Sequence, residues 1–422
     1  MRGEVRPAQE TGARMDLLAG LARSATDKPA RYGTDIDLST FEEAASASAV
    51  GTLDELPHEV RGLLAESGIN TSEEDRSGSF MQLGRSVIYD KVNEIYAGKL
   101  EMMDTRDALE KYPEVFDYWW KIISPDQDKY TAFNYLHEAH GYFVRVFKGQ
   151  KVDLPLQSCI LLHENAGLQN VHNIVIVEEG AAVQMISGCT VTPNVSTGIH
   201  IGVSEFYIGK NAQLVFSMVH NWTPDFHVRP RTAAVVEDGG SFISNYVLLK
   251  PAASVQTFPK VVLKGAKSTA RFNTLIYGLK DSVIDTGSEI SMEGEESSGE
   301  AISRAISDDN SVVYARGTLI SHVNSAQAHL DCRGILLGSG SAMHAIPELI
   351  ADKAPKSHLS HEAAIGPISE EQVEYLMARG FPRDEALSLI TTGFLDVGLL
   401  GLPKQLEKSI KKMVELTGRE AM

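Results

Sequence analysis

Residues 174–186 read IVIVEEGAAVQMI, and residues 205–219 read EFYIGKNAQLVFSMV. Each is a run of β-formers, a short turn carrying Gly or Asn, and a second run of β-formers. The texture recurs in TAAVVEDGGSFISNYVLL (232–249), KVVLKGAKSTARFNTLI (260–276), AISDDNSVVYARGTLI (305–320) and GILLGSGSAMHAI (334–346). The early turn centres Gly180, Asn211, Gly239 and Ala266 recur at a nearly even interval of roughly 30 residues, within the range of repeat architectures. Short strands with few helical signals over roughly 200 residues predict an all-β domain. Recurrence at this period favours a β-helix, a solenoid whose rungs bury their inward Val, Ile and Leu only against neighbouring rungs. A two-sheet sandwich is the competing architecture, and its Greek-key connections would space the strands irregularly.

Working outward, the period of 2 begins near His140, where Phe143-Val144-Arg145-Val146-Phe147 ends at the Lys148-Gly149 turn signal. Upstream, residues 1 to 137 read as helical. Apolar residues recur at helical spacing in Met15–Leu21 and Val87–Tyr96. Thr105 is followed by Ala108, Leu109, Tyr112 and Val115, with Pro113 ending or bending that helix. Tyr118-Trp119-Trp120 reads as helix packing against the next domain. Downstream, Ser369-Glu370-Glu371-Gln372 is a capping-box pattern, and Gly380 suits the residue after a helix end. Pro382 opens a second helix, and the lysine-rich Gln405–Leu416 makes a third. The expected division is 1–138 helical, 139–350 β-helix and 351–422 helical, the last suited to docking a partner.

A formal net charge of −17 argues against nucleic acid and against an anionic membrane surface. No stretch approaches the roughly 20 apolar residues of a membrane helix. The N-terminal residues carry no apolar signal region, which predicts a cytoplasmic protein. Cys159, Cys189 and Cys332 are too few and too scattered for a disulfide framework, and no C-x-x-C occurs. The plain expectation for each is a small buried hydrophobe.

Candidate ligands are densest between 322 and 362: His322, His329, Asp331, Cys332, His344, Glu348, Asp352, His358, His361 and Glu362. Thiolate with imidazole and carboxylate suits zinc, copper or iron, but the spacing matches no metal motif. Nucleotide hydrolysis is not expected, because G-x-x-x-x-G-K-[ST] is absent, and neither is a G-x-S-x-G nucleophile elbow. The pairs Glu178-Glu179, Glu295-Glu296 and Glu370-Glu371 read as solvated faces. β-Helices also serve as polysaccharide lyases and hydrolases, which need a long groove of acid pairs or basic residues, normally on an exported chain.

Several stretches together resemble the SufB/SufD family, the scaffold subunits of SUF-type iron–sulfur cluster assembly. They are HGYFVRVFKGQKVDLPLQ (140–157), SGCTVTP (187–193), FSMVHNW (216–222), ISRAISDDNS (302–311) and HLDCRGILLG (329–338). The most specific is IPELIADKAPKSHLSHEAAIGPISEEQVEYLMARG (346–380), with Gly393-Phe394 closing the pattern. The resemblance implies a right-handed parallel β-helix flanked by N- and C-terminal helices. It implies pairing through the C-terminal end of the β-helix, and C-terminal helices that bind an ABC-type ATPase, SufC, which supplies the missing nucleotide chemistry. Such a chain is a scaffold rather than an enzyme.

The resemblance also implies site residues. Cys332 stands where SufB members hold the nascent cluster, and Glu362 where they carry a glutamate at the same dimer interface. Cys189 matches a second SufB cysteine, inside the β-helix, that receives sulfur. His361 is either a ligand or a donor orienting Glu362. A homodimer doubles the ligands around one axis, so a 4Fe–4S cluster, transiently bound, is favoured over 2Fe–2S. The remaining partners implied are a sulfur donor and apo iron–sulfur proteins. The compact length and the absence of N-terminal cysteines suit the archaeal SufB-like form, no motif supports a flavin, and a structural SufD-like partner without a cluster is the alternative.

Overall fold

The computed structural model describes residues 8–248 and 250–395. From Leu156 onward the chain alternates between two sheets, laying one strand on each per rung, except that one first-sheet strand is split into Ser254–Thr257 and Lys260–Leu263. The second sheet takes the strands Leu156–Leu162, Ala182–Val191, Gln213–Asn221, Ser241–Leu248, Thr269–Gly278, Ser298–Ser307, Gln327–Leu336 and His358–Gly366. Each pairs in parallel with the next. Parallel pairing of every rung with the next excludes the sandwich and makes the domain a parallel β-helix. The first sheet stacks the intervening strands, among them Gly167–Val177, Thr197–Ile208, Asp225–Val236 and, last, Ala342–Ala351.

Alternation along each strand sends one face inward. The register stacks Val183, Leu214, Phe242, Ala270, Gly299, Ala328 and Leu359 into a single inward column. Each fully buried Val, Leu, Ile or Phe of such a column contributes roughly 1.5–3 kcal/mol. At two of the turns the backbones of successive rungs approach too closely for a side chain: a Cβ at Gly265 would collide with the Asp238 backbone, and one at Gly294 with Gly265 O. Only glycine fits there.

The N-terminal region departs from the helical expectation. Helices occur at Ala8–Ser24, His58–Glu66, Thr105–Lys111 and Lys129–Leu136, and Pro113 opens a short 3-10 turn as expected. The helix expected over Val87–Tyr96 is instead the strand Ser86–Val92 and a 3-10 turn, Glu94–Tyr96. That strand forms an antiparallel hairpin with Gly78–Leu83 through the two-residue turn Gly84-Arg85. Gly84 supplies the positive φ such a turn needs, and Val87, Ile88 and Tyr89 favour a strand. Likewise Leu100–Asp104 pairs antiparallel with Tyr142–Val146. The two antiparallel pairs end both sheets and cap the solenoid's first rung.

Tyr118-Trp119-Trp120 does pack on the β-helix, but as a loop rather than a helix. The backbone from Trp120 to Ile123 winds around Glu205, which is fully buried on the outer face of Thr197–Ile208. At the other end the strands run to Gly366, past residue 350, before the helices Glu370–Met377 and Arg383–Leu395. Ser369 occupies the N-cap position without a side-chain bond, and Gly380 has φ +97°. Phe394 and Leu395 return to the outer face of the second sheet beside Val219, Val247, Tyr277 and Ile306. The third helix expected at Gln405–Leu416 lies outside the described residues. Among those described, no helix is long and apolar enough to cross a membrane.

Candidate functional site

Cys332 lies on the Gln327–Leu336 strand, 1% exposed and part of the interior core. Its register partner on the last strand of the sheet is Ala363, so Cys332 shares the inward face with Ala363 and His361. Glu362 pairs with Asp331 and points the other way. Within one chain the expected pair, Cys332 and Glu362, therefore sits on opposite faces of the same sheet. Glu362 is largely exposed and reaches Arg333 Nη2 at 3.5 Å; Arg333 Nε in turn donates to Asp331 at 3.1 Å, and Asp331 accepts from Arg304 at 2.6 Å. In the single chain Glu362 is thus oriented by Arg333 rather than by His361. The Nε2 of His361 is buried without a hydrogen-bond partner, on the last strand of the second sheet itself.

Burial, with Asp331 adding to it and Arg304 opposing, pushes the Cys332 thiol up to about 11. At neutral pH it is protonated, and iron binding requires the thiolate. Iodoacetamide is therefore expected to modify Cys332 of the isolated chain at pH 8 on the order of 10²-fold more slowly than free cysteine. The rate should climb about tenfold per pH unit toward pH 11. Mass spectrometry of the 332 peptide checks this, and a rate equal to that of free cysteine would contradict the buried placement.

The other candidates between 322 and 362 are dispersed. His322 faces Asp352 at 3.3 Å, His329 Nδ1 bonds Ser360 at 2.8 Å, His344 stacks on Tyr314, and Glu348 accepts from Thr318 at 3.3 Å. His358 is exposed.

A second cysteine site lies deep in the interior. Cys189, His200 and His220 are each at most 2% exposed, and their donor atoms lie within 4.8 Å of one another. Among the described residues they are the one group of three such donors drawn together. Cys189 and His220 are register partners on adjacent rungs of the second sheet, and His200 comes from the first. The Sγ of Cys189 is 3.6 Å from Met218 Sδ. Spacing held a signal for two of the three residues: the interval from Cys189 to His220 equals that between the turn centres Gly180 and Asn211. His200, arriving from the opposite sheet, had none.

Cys159 is fully buried, as expected for a structural cysteine. From Met218 an inward register column runs through Tyr246, Thr274 and Ser303 to Cys332, joining the two cysteine sites along the solenoid.

Residues 160–394 match the family profile described as SUF system FeS cluster assembly, SufBD core domain. The iron–sulfur cluster assembly SufBD family protein of Methanothermobacter thermautotrophicus (strain Delta H) is 41% identical over 402 residues, covering 94% of this chain and 97% of that one. The SufBD family protein of Archaeoglobus fulgidus is 44% identical over 359 residues, covering 85% and 95%. The iron–sulfur cluster assembly protein SufB of Bacillus subtilis is 26% identical over 406 residues, covering 91% and 84%. The two archaeal relatives matched over nearly their whole length, the family profile across most of the β-helix and the solenoid itself agree: the chain belongs to the SufBD family of iron–sulfur cluster assembly proteins.

Proposed function

We propose that this chain is a cytoplasmic scaffold on which iron–sulfur clusters are assembled and from which they are passed to apo-proteins. The observation that carries the reading is the placement of Cys332: a buried thiol one strand below the end of the β-helix, where among the described residues no further strand pairs. Two chains meeting end to end would bring two Cys332, two His361 and two Glu362 around one axis. That set is large enough for a 4Fe–4S cargo, with carboxylate as a weaker ligand that favours release. Glu362 leaves its outward face only if the last rung rearranges, so assembly is coupled to a conformational step.

That step is assigned to an ABC-type ATPase of the SufC kind. The C-terminal helices present Tyr375, Met377, Phe381 and Leu389, all exposed, while Phe394 and Leu395 anchor the second helix to the sheet carrying Cys332. Movement imposed on these helices reaches the terminal rung directly. Sulfur enters at Cys189, and the column through Tyr246, Thr274 and Ser303 leads from there toward Cys332.

Anaerobic reconstitution with ferrous iron and sulfide tests the reading. The parent protein should turn brown and hold iron and sulfide in near-equal amounts. Cys332→Ser should lose at least about tenfold of that occupancy, as removal of a metal ligand does. Equal occupancy in Cys332→Ser would sink the assignment, and a parent that stays a colourless dimer would support a structural partner without its own cluster.

A further inference from the structure

Around Cys189 the interior holds more donor chemistry than a sulfur-receiving cysteine needs. We propose that Cys189, His200 and His220 bind one thiophilic transition-metal ion, zinc(II) or copper, inside the β-helix, with the Met218 thioether as a weak fourth donor.

Four observations converge on this. First, the donors come from both sheets and surround one point, rather than lining one surface. A tetrahedral ion with bonds of roughly 2.0–2.3 Å holds its donors about 3.3–3.6 Å apart, so the 4.8 Å span closes with small side-chain rotations. Second, both imidazoles are already oriented. The Nδ1 of His200 lies 2.9 Å from Gln169 Oε1, and Gln169 Nε2 donates to Leu161 O at 3.1 Å. The amide oxygen therefore accepts from His200 Nδ1–H, which leaves the Nε2 lone pair free. The Tyr246 hydroxyl, 3.0 Å from His220 Nδ1, holds the second ring in place.

Third, His220 Nε2 is fully buried with no hydrogen-bond partner. A buried nitrogen left unsatisfied is destabilising, and coordination would satisfy it. Trp222 Nε1 is unsatisfied too, on a ring 5.4 Å from His220 and 5.5 Å from His200. Fourth, there is room. Residue 202 is glycine, where a Cβ would stand 2.9 Å from His200 Nε2. A cavity of about 40 Å³ bordered by Met218, His220 and Tyr246 adjoins the site and accommodates a water as an exchangeable ligand.

Burial keeps all three groups neutral in the metal-free chain, holding the imidazole of His200 down at about 4 and raising the Cys189 thiol. Metal binding then breaks one S–H bond, forms a metal–sulfur bond and releases one proton, with no redox partner needed. It converts Cys189 to a metal-bound thiolate and so controls when that sulfur is available. The site does not depend on the cluster assignment at Cys332.

The test uses full-length Cys332→Ser protein, which removes the cluster thiol but leaves the interior site. Cells are grown with added zinc, copper or cobalt, so that the metal enters during folding, and metal per chain is measured by elemental analysis. The expected result is close to one zinc or copper per chain. The cobalt form should show thiolate charge transfer and intense four-coordinate visible bands. Cys189→Ser and His220→Gln should each lower the content at least about tenfold and abolish the charge-transfer band. Met218→Leu, which keeps the three main ligands, should keep the stoichiometry and shift the bands. Absence of metal from the Cys332→Ser protein, or metal retained undiminished in folded His220→Gln, would overturn the proposal.

Discussion

Glu205→Ala is expected to destabilise the protein by about 3–5 kcal/mol, the range for removing one partner of a buried charged network. Glu205 is fully buried, and its Oε1 accepts from the backbone N–H groups of Lys121 and Ile122 at 2.8 Å and of Ile123 at 3.3 Å. Its Oε2 accepts from Trp120 N at 2.7 Å and lies 2.9 Å from His172 Nε2; Tyr207 OH adds a further bond at 3.2 Å. One carboxylate thus satisfies four backbone donors of a loop whose Trp120 sits at φ +51°. Without it the buried donors of Trp120 and Ile123 are left unpaired, each at a cost of about 1–3 kcal/mol before relaxation, and those of Lys121 and Ile122 lose their partner at a more exposed position. Glu205→Gln keeps one acceptor oxygen but sets an NH₂ against an N–H, so its loss should be smaller yet above about 1 kcal/mol. Urea unfolding of both variants measures this. A loss under about 1 kcal/mol for Glu205→Ala would mean that the Trp119–Trp120 packing alone holds the loop.

The solenoid was legible because each rung is a local signal repeated: a β run, a turn residue, a β run. The capping hairpin was not, because Val87, Ile88 and Tyr89 fit either period until the Gly84-Arg85 turn and its partner strand are known. Glu205 reads as one charge inside an apolar strand, and nothing local says that the distant loop at Trp120–Ile123 wraps it. At the candidate sites the limit was parity. The last two rungs of the second sheet are offset so that Cys332 falls onto Ala363. Glu362 comes one position short of that offset and so falls on the opposite face. Family likeness brought Cys332 and Glu362 together as a pair, while the structure adds that within one chain they lie on opposite faces of the sheet. An equal offset between two earlier rungs placed Cys189 under His220, a coincidence of ligands that no motif flagged.

If the chains pair end to end as proposed, a charge on the last rung should separate them and empty the site together. The strands Ala342–Ala351 and His358–Gly366 each pair on one side only, with Val312–Ser321 and Gln327–Leu336. Among the described residues their other edges pair with no further strand, and Ile346, Leu349 and Ile365 are 38–41% exposed there. The first rung is capped by antiparallel strands, whereas among the described residues no strand caps this one, and an open sheet edge recruits another strand. Leu349 and Ile365 share the inward faces of Leu319 and Gly334, so a second copy stacked on the end would extend the core across the junction. Leu349→Lys with Ile365→Lys buries two like charges at that junction in each chain. Dimer dissociation is expected to rise by at least about 10²-fold, from a few kcal/mol of uncompensated burial. Sedimentation should show monomers at micromolar concentration, and reconstitution should give no cluster although Cys332 is intact. Cys332→Ser provides the converse, a dimer without cluster. A double variant that stays dimeric would place the contact between chains elsewhere, and a monomer that still holds its full cluster would place the assembly site within one chain and not at joined ends.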